Sequence, residues 1–198
     1  MFQDFLIQVV ISCLQPYPSL EVFTEVRVPF GRYPIWEAGV INHRVPSQLV
    51  DLAVGYRLVD GQPRPCTDPW PHTVCSHLEQ NESVVPLVVV NSKVRVSQSE
   101  FFDFMGREEL LTKGNPTCMS VEVALRAEMD LSIVAASQAN DKFFLLGVGG
   151  ERTVRPRPAE LNRFVEELTE HLGLFMEPGL GSQGATTDSA DLASPSNG

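Results

Sequence analysis

Nowhere in this sequence do apolar residues run on for anything near the roughly 18 positions that mark a membrane-spanning helix. Basic charge is scarce as well: 15 Lys and Arg stand against 25 Asp and Glu, a net charge of −10, and no Lys or Arg follows Arg163. Ending the count at Met176 still leaves 22 acidic residues against 15 basic ones. Non-specific affinity for nucleic acid comes mostly from cations on phosphates, so this balance argues against a broad phosphate-binding surface. A local basic groove built from Arg95, Arg107, Lys113, Arg152, Arg155 and Arg157 stays open, as does a plain scatter of these charges over the surface. Four cysteines, Cys13, Cys66, Cys75 and Cys118, are too widely spaced for a disulfide framework, which fits a reducing compartment. Cys66, His72, Cys75 and His77 are four potential zinc ligands, but eight residues separate the two cysteines, where structural zinc sites use two to four. The G-x-G-x-x-G, P-loop, G-x-S-x-G and H-E-x-x-H motifs are all missing, which removes support for nucleotide binding and the common hydrolase classes. The apolar N-terminal stretch carries Asp4 and no basic residues ahead of it, unlike a secretory leader. These absences lead to the expectation of a soluble, intracellular protein of the cytoplasm or nucleus.

What is present is enough for one core. Residues 1–176 are expected to form a single α/β domain and 177–198 a disordered polar tail without apolar periodicity. Phe2, Phe5, Leu6, Val9, Val10, Cys13 and Leu14 repeat at helical spacing up to the breakers Pro16 and Pro18. Residues 20–29 alternate as a strand, with Val22, Thr24, Val26 and Val28 on one face and Glu21, Phe23, Glu25 and Arg27 on the other. Residues 31–46 read as irregular, 48–59 as a second strand closed by the Asp60-Gly61 turn, and 61–83 as a long polar loop. Ser97 and Glu100 form a capping box that opens a helix closing at Gly114. In 117–138, Met119, Val121, Val123 and Leu125 alternate like a strand, but the abundance of Ala, Glu, Leu and Met favours helix for most of it. A strand over 142–148, a short partner over 151–155 and an amphipathic helix over 158–172 complete the order.

The stretch Val84 to Lys93, VVPLVVVNSK, organises the rest. It is apolar on both faces, as a strand covered on both sides should be, and it ends in a lysine. An aspartate, Asp51, lies on the preceding strand LVDLAV, and a helix follows. With these residues the chain resembles the restriction-endonuclease-like, or PD-(D/E)XK, nuclease superfamily over roughly residues 2–155. The resemblance implies an αβββαβ core with a mixed central sheet flanked by helices. It also implies Mg²⁺- or Mn²⁺-dependent hydrolysis of phosphodiesters, DNA as the substrate, and room for a homodimer. Asp51 and the residue two before the lysine would hold the metal, because hard cations want oxygen ligands. Positions 91 and 93 project to one face of a strand, so a metal ligand and the Lys93 ammonium would address the same phosphate.

One residue departs from the pattern. Asn91 stands where the family has Asp or Glu, and an amide oxygen carries no full charge and cannot act as a base. Three readings follow: an inactive nuclease fold kept for nucleic-acid or protein binding, a carboxylate supplied from elsewhere, or an altered residue in this chain. Glu25 on the first strand is the leading substitute, ahead of Glu100 and Asp103 on the following helix. Each residue also has a plainer reading. Asp51 could cap a strand end, Lys93 could mark a strand emerging into solvent, Glu100 could serve its capping box, and Glu25 could pair with Arg27 or Arg44. Gln98 reads as an ordinary exposed position at the helix start.

Overall fold

The computed structural model describes residues 1–30, 33–37, 40–63, 74–75, 78, 82–137, 140–150 and 153–175. The expected polar tail, together with Cys66, His72, His77 and the side chain of Cys75, lies outside the described residues. The elements run α1 (Phe2–Leu14), β1 (Glu21–Pro29), β2 (Tyr33–Glu37), β3 (Val40–Arg44), β4 (Ser47–Val59), β5 (Gln62–Pro63) and β6 (Val74–Cys75). They continue with β7 (Glu82–Lys93), α2 (Gln98–Gly114), β8 (Met119–Ala124), α3 (Leu131–Ala136), β9 (Phe143–Leu145), β10 (Gly147–Gly150), β11 (Thr153–Pro156) and α4 (Pro158–Phe175).

Strands β1, β4, β7, β8 and β9 stand side by side in that order, with β6 on the outer edge of β1 and β5 paired to β4. The first three are antiparallel and the last three parallel. Helix α2 supplies the crossover between β7 and β8 that a parallel pair requires. The core order α1, β1, β4, β7, α2, β8 is the expected αβββαβ, with the β2–β3 hairpin inserted after its first strand.

Two apolar layers sandwich the sheet. On one face Val22, Leu52, Val54, Val88, Val90, Val121 and Val123 pack against Leu6, Val10 and Leu14 of α1 and Phe164, Leu168 and Leu172 of α4. On the other, Phe23, Val26, Val28, Val50, Ala53 and Val89 meet Leu111 of α2, and Ala124 meets Phe101 and Phe104 of the same helix. Glu21, buried at the start of β1, is neutralised by Arg57 at 2.9 Å, and Arg57 also grips Glu82 at 2.9 Å. Such a triad offsets its own desolvation only because every charge in it has a partner.

Four expectations need correcting. The strand expected over 142–148 is two, β9 in the main sheet and β10 paired with β11 in a sheet of its own. Residues 31–46 hold the β2–β3 hairpin rather than irregular chain. The stretch expected to be mostly helix holds a strand, Met119–Ala124, and only a six-residue helix, Leu131–Ala136. Val121 and Val123 face α1 and α4 while Ala124 faces α2, so burial on both faces overrides helix propensity. Strand β1 does not keep one phase: Val22 belongs to the α1/α4 layer but Val26 and Val28 to the α2 layer. The strand turns over at Glu25, whose backbone is left-handed with φ of 51°.

The capping box forms as expected: the Ser97 hydroxyl accepts the Glu100 amide, and the Glu100 carboxylate accepts the Ser97 amide at 2.8 Å. Ser97→Ala will lower the unfolding free energy by about 1 kcal/mol in urea melts, the usual loss for an N-cap. No helix among the described residues is long and apolar enough to cross a membrane.

Candidate active site

Register places the polar residues of the sheet in one row. The β4–β7 ladder runs to the pair Leu52–Val90, so Asp51 and Asn91 stand one step beyond it. Asn91 in turn pairs with Glu122 of β8. On the other side, Thr24–Leu52 and Val26–Val50 flank the level at which Glu25 faces Asp51. Four adjacent strands thus carry Glu25, Asp51, Asn91 and Glu122 across the sheet.

Asp51 is held by Ser92 and Gln3. Its carboxylate accepts the backbone N–H of Ser92 at 2.7 Å and lies 3.4 Å from the Ser92 hydroxyl. Gln3 of α1 donates to its carbonyl at 3.2 Å. A backbone N–H at the end of a ladder must find an acceptor, and here a side chain takes the place of the next strand carbonyl. Asp51 is therefore fixed against the Asn91-Ser92-Lys93 segment. Asn91 is 5% exposed and Lys93 half-buried. Val89 faces α2, so by strand alternation Asn91 and Lys93 do so too. Among the described residues no carboxylate lies within ion-pairing distance of the Lys93 ammonium.

Glu122 is the residue that sequence reasoning missed. It is 2% exposed, and its Oε1 has no hydrogen-bond partner among the described residues. Burial pushes its carboxyl up to about 7, against the pull of Lys93 and Arg107, while the negative charges of Asp51 and Glu100 add to the rise. Two positions earlier the Ser120 hydroxyl is also buried and unpartnered. The signal for Glu122 lay in the alternation of residues 119–125, which puts an acid among valines on a strand.

The other candidates are placed less favourably. Glu25 is exposed, on its left-handed backbone, and forms no ion pair with Arg27 among the described residues. Glu100 is engaged in its capping box, where the Ser97 amide and hydroxyl hold its carboxyl below the ordinary range. Asp103 and Gln98 are exposed on α2. The basic groove is partly neutralised: Arg95 pairs with Glu128 at 3.7 Å, Lys113 with Glu109 at 2.6 Å and Arg157 with Glu160 at 3.4 Å, while Arg152 lies outside the described residues. No group of three or more His, Cys, Asp or Glu side chains among the described residues forms a ready metal cluster. Mg²⁺ does not require one, since one or two carboxylates plus water and phosphate oxygens commonly hold it.

No protein-family model and no curated protein sequence matches the chain. Among solved structures, a chain of the native BbvCI A2B2 tetramer is similar to it over 75% of this chain and 57% of that one. The TM-score is 0.51 and the sequence identity 11%. The fold is restriction-endonuclease-like. At that identity the likeness carries the architecture alone, and the chain spans little more than half the length of the BbvCI chain. In this restriction-endonuclease-like sheet the row of polar residues lies where the parallel strands β7 and β8 approach their C-terminal ends.

Proposed function

We propose that the chain is a metal-dependent nuclease that hydrolyses the phosphodiester bonds of DNA. The observation that carries this reading is the Asp51 carboxylate fixed on the Ser92 amide, within the segment that also bears Asn91 and Lys93. A restriction-endonuclease-like fold around that contact supports it.

Asp51 and the amide oxygen of Asn91 would hold Mg²⁺ or Mn²⁺. When bound, the cation supplies polarisation of the phosphate and a lowered pKa for the attacking water. The chain contributes the rest. The Ser92 amide keeps the Asp51 carboxylate in one orientation, so little reorganisation is needed as charge develops. Lys93, without a carboxylate partner among the described residues, leaves its ammonium available to the scissile phosphate and the oxygen that attacks it. A self-associated form belongs to the same reading, in line with the A2B2 assembly named for BbvCI.

Asn91 and the net charge of −10 favour a second reading, a non-catalytic nuclease-fold protein that binds nucleic acid or protein. Nicking of supercoiled DNA with Mg²⁺ or Mn²⁺ separates the two. Under the first reading the wild-type chain cleaves and Lys93→Ala cleaves at least about a hundred-fold more slowly, in the range seen when one charge-stabilising donor is removed. Cleavage that survives Lys93→Ala unchanged would overturn the assignment of Lys93.

A further inference from the structure

We propose that Glu122 supplies, from β8, the acidic ligand that Asn91 does not supply on β7, so that Asp51 and Glu122 hold one divalent cation between them. The inference rests on the nuclease reading above and adds to it a residue outside the D/E-x-K segment.

Three observations carry it. Glu122 pairs in register with Asn91 across parallel strands, so an acid lost from one strand is matched by an acid at the same level of the next. Its neighbours on β8, Val121 and Val123, face α1 and α4, which turns Glu122 to the α2 side together with Asn91 and Lys93. And its Oε1 is buried without a partner. A buried carboxylate oxygen that bonds to nothing is costly, and proteins retain one where something else satisfies it. The charges of Lys93 and Asp51, both in the candidate site, act on its carboxyl. Two carboxylates and an amide oxygen fit a Mg²⁺ or Mn²⁺ ion whose other positions are filled by water and phosphate.

A plainer account exists: a buried water could bridge Glu122 to the equally unpartnered Ser120 hydroxyl, with no metal involved. The two accounts differ under substitution. Isothermal titration with Mn²⁺, backed by circular dichroism to check folding, would be run on the wild-type chain, Glu122→Gln, Ser120→Ala, Asp51→Asn and the double variant Asn91→Glu/Glu122→Gln. The expected result is Mn²⁺ binding by the wild type, weakened roughly ten-fold or more in Glu122→Gln. Ser120→Ala should bind within about two-fold of wild type, and the double variant should recover affinity by moving the acid back to β7. Glu122→Gln binding as tightly as wild type while Asp51→Asn does not, or a double variant no tighter than Glu122→Gln, overturns the inference and leaves the nuclease reading standing. A folded wild-type chain that takes up no Mn²⁺ overturns both.

Discussion

Asp51→Asn will abolish metal-dependent cleavage and leave the fold nearly intact, whereas Asp51→Ala will damage both. The carboxylate is assigned two jobs that the two substitutions separate. As an acceptor it closes the β4–β7 ladder by taking the Ser92 N–H at 2.7 Å. An asparagine oxygen can still accept that bond, so Asp51→Asn should shift the unfolding free energy by less than about 1 kcal/mol. Alanine leaves the N–H without its acceptor, a loss of about 1–3 kcal/mol that urea denaturation would register. As a ligand the carboxylate gives the site its charge, and neither replacement can restore it. A metal that polarises phosphate is worth several kcal/mol in the transition state, so both variants should fall by roughly a thousand-fold or more in cleavage rate. Asn at position 51 with wild-type cleavage would mean that the catalytic centre lies elsewhere in the molecule.

Replacing Glu122 with Gln will flatten the pH dependence of stability. Burial raises the folded carboxyl from an ordinary 4.5 to about 7. Because the folded value lies above the unfolded one, its contribution to stability is complete below about pH 4.5 and is lost as pH climbs through 7. Across pH 5 to 8 in chelator, the wild type should therefore lose about 2–3 kcal/mol that Glu122→Gln does not. Chemical denaturation of both proteins at the two pH values, with EDTA present, measures the difference directly. Parallel pH slopes would mean that Glu122 ionises in the folded protein as it does in the unfolded chain. A buried group that weakens the fold near neutral pH fits a role outside packing.

Much of this architecture could be read from residues alone. The run from Val84 to Val90 announced a strand covered on both faces, the helical spacing of Leu6, Val10 and Leu14 announced α1, and the Ser97–Glu100 box announced the start of α2. The strands that carry Asp51 and the Asn91–Lys93 segment were legible because both are strongly patterned. Glu122 was not, for two physical reasons. Its strand is rich in residues that also suit a helix, and only packing against helices on both faces decides between the two. A motif is also read along one strand, whereas this site is a row across several. Nothing in the linear spacing between residues 91 and 122 announces that they are neighbours. The turning over of β1 at Glu25 escaped for a related reason, since the pattern of residues 21–29 is consistent with unbroken alternation.

That turn has a consequence for anyone who would redesign the sheet. The layers that Val22 and Val26 serve are opposite ones, and β4 changes phase at the same level, with Leu52 on one side and Val50 on the other. Each of these strands is in effect two short strands welded end to end at the candidate site. A binary pattern written in a single phase along either one would turn half of its apolar positions toward the wrong layer. Each half must be composed against its own set of helices, and the weld itself left to Glu25 and Asp51.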